Sequence, residues 1–573
     1  ENNLKTWEEL RIEFATNHFR ILSQGGLQNG LILTPSSGRL TQAAVGNSSR
    51  WYSDFKRFHL SCYYNSLRVY ANRIAHSDDL GDLGKSLQVL LDKSDSQPLS
   101  WFSKALLPYQ DQIDQIIANK NAAIRQEIKS AFQKHADYAP NFIDGLVSIN
   151  QDLKVKSAVK EASKERFKAE AFRIYTESVL EQASALAAGK TLPQQSRSGQ
   201  VVAWLGGGRL PSAANLQALG ADLALVKALK RFHSSTKNFL NGYFDLIVDD
   251  YLYFRRSNRL WYNPSQGGVR QVEGLEVDLM LLAFLEEGSD LLKCDFKIPK
   301  TVARNWSLAN HEFLLRNQIF VDEVSDFSPV QLKCLQALSH PAYGAVSAAG
   351  DLESRITPWG VNSVDDLQWA IPKPKLAELS VNYRQSRQLV ELTDTLSGSN
   401  GERYTSSYYD VHGVQTVVAE KCADLYNTAF WLTERIWEIK ERCGQLPSVA
   451  VVVSSNSQIA PLTEALNKAL THHSLKAVPC RPGQPLGRTN DIRVIAIDQI
   501  RGLEFEALFL VNAADLLSRP NFRMLFYLAA SRAVSYFGLT FKDTMPVEFD
   551  GIAGGLVASD WTQIEVPLET LNI

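Results

Sequence analysis

Apolar and polar positions follow two different rhythms along this chain. From about residue 50 to 190 apolar side chains recur at helix-face spacing, as in Ile113, Ile116, Ile117, Ile124, Ile128 and Phe132, with Lys, Glu and Gln between them. That spacing predicts long amphipathic helices. Elsewhere short, mostly apolar runs stand between turn residues and helical segments: LILT (31–34), IFV (319–321), VAVVVS (449–454), IRVIAI (492–497) and ALFLVN (507–512). Runs of this kind, alternating with helices, predict parallel-sheet strands buried on both faces. The fold class is therefore α/β: residues 1–50 and 300–375 read as a first block, 51–299 as a mainly helical insertion in it, and 376–573 as a second block. The Pro-rich stretch IPKPK (371–375) marks the junction.

Length and charge narrow this picture without naming a chemistry. A chain of 573 residues exceeds what one hydrophobic core supports. Its 60 Lys and Arg against 62 Asp and Glu give a net charge of -2, so any nucleic-acid groove has to be local. Six cysteines, at 62, 294, 334, 422, 443 and 480, form no CxxC pair, which argues against a disulfide framework or a zinc site and fits a reducing, cytoplasmic setting. No apolar run approaches the ~20 residues that span a bilayer, and no signal-peptide pattern opens the chain, so no membrane is expected.

Candidate chemistry is concentrated after residue 319. In IFVDEVSDFSPVQL (319–332) an apolar strand ends in Asp322-Glu323, adds Asp326 and opens into a helix. Open α/β sheets place ligands at the carboxyl ends of their strands, and two acids there suit a metal–nucleotide site; a solvated turn before a helix cap is the plainer alternative. GDLESRI (350–356) follows the run AVSAA and puts Asp351 at the end of a second strand. LSVNYRQSRQLVEL (379–392) places Arg384 at the entry of a helix, and IAIDQIRGLEFEALFL (495–510) places Gly502 and Glu504 before a strand. FYLAASRAVSYFGLT (526–540) puts Arg532 in a helix that leads to another strand.

In this order the motifs resemble those of the UvrD/Rep/PcrA-like helicases of superfamily 1, and the wording VDExxDFSPxQL, GDLxxRI, NYR and GLEFE is most similar to the helicase IV-like branch. The likeness covers residues 319 to about 540, and a looser match at LILTPSSGRL (31–40) extends it toward the start. The resemblance implies two RecA-like parallel-sheet domains that clamp ATP and Mg²⁺ and move along single-stranded DNA. It implies that Asp322, with Thr6, holds the metal and that Glu323 orients and deprotonates the attacking water. Phosphoryl transfer depends mostly on such positioning and charge neutralisation. Arg384 and Arg532 would be the arginine fingers, Asp351 the acid that senses the metal site, and Glu504, beside Gly502, the link from nucleotide to DNA. Thr34 would lie near the DNA backbone.

The chain also departs from the family pattern. Ser325 and Ser354 stand where two glutamines belong, and a serine lacks the reach of a glutamine amide. The phosphate-binding loop GxxxxGK[ST] has no clear counterpart before LILT; ENNLKT offers only Lys5 and Thr6 as its Lys-Thr pair. AAGKT (187–191) reads as a helix stop, and VVAWLGGGRLPSAANL (201–216) as a strand, a flexible glycine turn and a helix start. Three explanations stay open: missing first residues, a divergent loop, or a pseudo-helicase. The leading expectation is an ATP-dependent DNA helicase or translocase with a partly degraded ATP site. The alternative is an inactive DNA-binding or scaffold subunit with a protein partner in a repair or phage-defence complex.

DNA contacts have two further candidates. WYSDFKRFHLSCYYNSLRVYANR (51–73) interleaves aromatic and basic residues as a single-strand channel does, although aromatics in a helix core give the same pattern. YFRRSNRLWY (253–262), with Arg255 and Arg256, has the same look and the same alternative, and Trp359 and Tyr383 lie beside motifs, as stacking residues for DNA or as packing for the ATP cleft.

Overall fold

The computed structural model describes residues 6–23, 30–35, 38–95, 97–139, 141–149, 162–263, 268–292, 313–340, 342–355, 357–379, 382–397, 407–409, 417–481, 488, 490–519, 521–549 and 561. Two compact units are present: residues 1–44, 50–316 and 340–342, and residues 45–49, 317–339 and 343–573.

The first unit is mainly helical, as the 3.6-residue spacing predicts. Its long helices include Ser48–Ala75, Leu99–Ala136, Ala162–Ala187, Ala213–His233, Ser235–Ser257 and Gly274–Leu292. Ile124, Ile128 and Phe132 are buried and pack with Tyr175, Val179, Val201 and Leu219 from neighbouring helices. Two short parallel strands, β1 (Ile32–Leu33) and β2 (Gln271–Val272), complete it. The helix Ala162–Ala187 stops at AAGKT as expected: Gly189 takes φ +66°, and the Lys190 amide reaches back to the Ala185 carbonyl at 2.9 Å. VVAWL is a correction. It forms no strand but lies in the helix Arg197–Arg209, capped by Ser196 and kinked at Gly206, because Val201 and Leu205 fall on one buried face.

The second unit carries the strands. β3 (Gln318–Val321) pairs in parallel with β4 (Ala345–Ala348), and β5 (Asn382–Ser386) with β6 (Ser407–Tyr409). β7 (Val417–Lys421), β8 (Val449–Val453), β9 (Ala477–Pro479), β10 (Ile492–Ala496), β11 (Phe505–Leu510) and β12 (Ala533–Phe541) form one parallel sheet in the order β7-β12-β11-β8-β10-β9. The mostly apolar runs are explained by burial of both faces. Ala450, Val452, Leu508, Leu510, Phe537 and Leu539 enter one core. Val449, Val451, Val453, Ala507, Phe509 and Tyr536 enter the other. Packing is tight enough that Gly538, paired with Phe509, has no room for a methyl: a Cβ there would meet the phenyl ring at 2.5 Å.

Among the described residues the α/β reading holds with one six-stranded parallel sheet, while β1–β2, β3–β4 and β5–β6 are two-stranded pairs. One expectation changes here: IFV is not buried throughout, since Val321 is buried but Phe320, which points to the opposite face of the strand, is 74% exposed.

Candidate functional site

The carboxyl ends of β3 and β4 bring the acids of two separate motifs to one sheet edge. The Ala349 amide donates to the Val321 carbonyl, and the Val324 amide donates to the Ala349 carbonyl, both at 2.9 Å. This clamp holds Glu323 in the left-handed region, at φ 50° and ψ 58°. A non-glycine residue there carries a cost of roughly 1–2 kcal/mol, and such strain is concentrated at functional sites. Asp322 is exposed, and its Oδ1 accepts the Glu323 amide at 3.0 Å. The helix that follows, Pro329–Ala337, begins with a capping box between Ser328 and Gln331, so the motif's SPVQ is a helix start.

Arginines from the later motifs meet these acids. Arg532, at the C-terminal cap of the helix Phe522–Ser531, donates from Nη2 to Glu323 Oε1 at 2.9 Å. Arg501 pairs with Asp326. Burial pushes the Asp326 carboxyl above its ordinary range; Arg501 opposes that shift, and the nearby Glu323 adds to it. Burial likewise draws Arg501 below the usual guanidinium range. Arg501 Nη2 and Arg532 Nε are buried without a hydrogen-bond partner among the described residues, so each guanidinium has a donor left over beside the carboxylates. Asp351 accepts from the Tyr527 hydroxyl at 2.7 Å, tying the end of the second strand to the helix that carries Arg532.

The two serine departures turn out to be one feature. Ser325 and Ser354 are buried, at 0% and 3% exposure, and their hydroxyls face each other at 3.4 Å. Ser354 also donates to the Asp351 carbonyl at 2.7 Å.

The NYR motif is built around Asn382, whose side-chain oxygen accepts the amides of Arg384 and Gln385, both at 3.0 Å. Gln385 is buried and donates to the carbonyls of Ala530 (2.9 Å) and Ala533 (2.8 Å), on either side of Arg532. Arg384 itself lies in β5, three residues before the helix Arg387–Ser397, which corrects its expected place at a helix entry. It pairs with Glu504 at 2.8 Å, both side chains about half exposed. Gly502, between Arg501 and that glutamate, takes φ +65°, a conformation a side chain would disfavour.

The remaining candidates make none of the contacts just described. Lys5 is outside the described residues. Thr6 belongs to the first unit and caps the helix Trp7–Glu13, its hydroxyl accepting the Glu9 amide at 3.3 Å. Thr34 follows β1, and its hydroxyl donates to the Val272 carbonyl at 3.3 Å. Arg255 is mostly buried and donates to the carbonyls of Val269 and Gln271, with Glu276 at 3.4 Å. Arg256 is exposed, Trp359 half-buried and Tyr383 exposed. In the segment 51–73, Trp51, Tyr52, Phe55, Tyr63 and Tyr64 are core residues. Three residues of the cluster, Arg501, Gln385 and Tyr527, were not singled out from sequence although each stands inside a quoted motif.

Could this cluster hold Mg²⁺ and nucleotide phosphates? Among the described residues no group of three or more His, Cys, Asp or Glu forms a metal cage. Mg²⁺ in phosphoryl-transfer sites usually takes one or two carboxylates together with substrate phosphates, which an exposed Asp322 satisfies. The surplus donors of Arg501 and Arg532 suit phosphate oxygens. These residues fit the acid and arginine half of such a site.

Comparison with known proteins adds little. No protein-family model matches the chain, and no curated protein does. Solved chains do match, among them one described as the C-terminal domain of a possible DNA helicase from Lactobacillus plantarum, with 19% identity, 31% of this chain and 99% of that chain covered, and a TM-score of 0.23. Among the described residues no helix is long and apolar enough to cross a membrane.

Proposed function

We propose that this chain is a UvrD-like, ATP-dependent DNA translocase or helicase whose second unit carries the carboxylate and arginine half of the nucleotide site. The observation that carries the reading is the strained Glu323, held beside Asp322 and paired with Arg532 from a motif two hundred positions later. Bound MgATP would supply the electrophilic phosphorus and a metal that neutralises charge. Asp322 would then anchor the metal through its exposed carboxylate. Arg532 and Arg501 would turn their spare N–H groups to phosphate oxygens. Glu323, released from Arg532, would be the proton acceptor for water, because its Oε1 is otherwise taken up by the guanidinium. Single-stranded DNA is the proposed track.

A second reading has its own support. The Glu323–Arg532 pair and the closed Ser325–Ser354 contact suit a protein that keeps the fold for binding DNA or a protein partner, without turnover. One titration separates the two. Fluorescent ATP analogue with Mg²⁺ is added to the whole chain, with and without oligo-dT, followed by an ATPase assay. DNA-stimulated hydrolysis lost in Glu323→Gln supports the motor. Oligo-dT binding without nucleotide binding at millimolar concentration supports the scaffold.

A further inference from the structure

The first unit carries an open cleft of about 780 Å³ that the nucleotide cluster does not involve, lined by Ile32, Leu252, Tyr253, Arg256, Arg270 and Gln271, among others. Tyr253 is 62% exposed although it lies on a long helix. Its ring is stacked on Phe58 of the helix Ser48–Ala75, with centroids 5.6 Å apart and planes 19° from parallel. A tyrosine backed in this way on one face presents a rigid aromatic surface on the other.

The basic side chains around it are arranged rather than scattered. Arg255, next along the helix but one, turns inward and donates to the carbonyls of Val269 and Gln271. The turn is closed by the Gly268 amide donating to Gln271 Oε1 at 2.9 Å and the Gln271 amide donating to the Gly268 carbonyl at 3.1 Å. Arg270 is thereby held at the same cleft as Arg256. Both are exposed, and neither has an ion-pair partner among the described residues. Asp249 is the acid that lines the cleft. Two free guanidiniums flanking a backed aromatic ring are complementary to a ligand that alternates flat bases with phosphates.

We infer that Tyr253, Arg256 and Arg270 form a stacking platform for single-stranded nucleic acid, with a base on the exposed face of Tyr253, phosphates on the two arginines, and Arg255 as a positioning residue beneath them. The inference rests on the proposed function only in taking a nucleic acid as ligand, and it adds the place and the mode of contact. A purely electrostatic patch would need no ring; an apolar docking groove would not be rimmed by unpaired arginines.

The test is fluorescence anisotropy on the whole chain with labelled oligo-dT, oligo-U of the same length, and an abasic sugar-phosphate strand. Tyr253→Ala should weaken oligo binding by about tenfold or more while leaving abasic binding unchanged, and Tyr253→Phe should keep wild-type affinity. Arg256→Ala and Arg270→Ala should weaken all strands that bind and each lower the salt slope by about one. Whichever of oligo-dT and oligo-U binds more tightly names the natural strand, and the tyrosine dependence supports the platform in either case. Equal loss of abasic and base-bearing strands in Tyr253→Ala overturns the stacking role. Wild-type binding that none of the variants alters overturns the platform and leaves the DNA reading intact. Binding to oligo-U alone overturns the DNA reading but not the platform, and absence of any wild-type binding to either strand overturns both.

Discussion

Arg532 Nη2 lies 2.9 Å from Glu323 Oε1, joining residues 209 positions apart. The side chains are 10% and 27% exposed, so water screens the pair only in part. Truncating the arginine leaves a half-buried carboxylate on a strained residue. Arg532→Ala should therefore lower the stability of the second unit by about 1.5–3 kcal/mol, and Arg532→Lys by less. Denaturant unfolding followed by intrinsic fluorescence reads the difference; an unchanged midpoint would mean the pair contributes nothing.

Glu323→Gln keeps the size and the hydrogen-bonding oxygen of the side chain while removing its basicity. If Glu323 accepts the proton from water, this variant should still bind fluorescent ATP analogue with Mg²⁺ but lose DNA-stimulated hydrolysis by a hundredfold or more, on the order of general-base contributions. Retained turnover would remove Glu323 from the chemistry.

Restoring the family's glutamines should not repair the site. Ser325 and Ser354 are buried with hydroxyls 3.4 Å apart, and the Ser325 carbonyl already lies against Gly360. Ser325→Gln should destabilise by about 1–3 kcal/mol through overpacking, and Ser354→Gln similarly. Ser325→Ala should cost less than about 1 kcal/mol, since that contact is long for a hydroxyl pair. Gains in stability from either glutamine, measured by thermal unfolding, would show that the space is larger than the packing indicates.

The sign of the pH dependence at Asp326 follows from its environment. Burial raises its carboxyl above the ordinary aspartate value of 3.8, so between that value and the raised one the native chain holds a proton the unfolded chain has released. Its contribution to stability is largest below the unfolded value and is lost as pH rises through the native one. Asp326→Asn should flatten stability against pH across that window, as read by urea midpoints from pH 3.5 upward. A slope identical to wild type would locate the titration at other buried acids.

Much of the second unit was legible because its signals are local. VAVVVS, IRVIAI and ALFLVN are almost wholly apolar since both faces of the sheet are covered, with Arg493 as the one charged residue among them, and each forms a strand of the six-stranded sheet. The acids of IFVDE and GDLE were legible as strand-end residues, and β3 and β4 do deliver Asp322, Glu323 and Asp351 to one edge. VVAWL misled because five apolar residues in a row give no period, and the helix start at Ser196 lies outside the run. The exposure of Phe320 was not legible: three apolar residues in a row do not show which face of a strand is left uncovered. Nor could the chain reveal that Arg255 faces backbone carbonyls while Arg256 faces solvent, since adjacent arginines on a helix differ only in direction.

Gln385 gives the cluster a mechanical property. Its amide grips the carbonyls of Ala530 and Ala533, so the segment bearing Arg384 and the segment bearing Arg532 are coupled through one buried side chain. Arg384 in turn holds Glu504 at 2.8 Å. Neither segment can shift its backbone without breaking the two bonds of Gln385 or carrying the other with it, so the spacing of the two arginines is fixed by a residue that touches neither guanidinium.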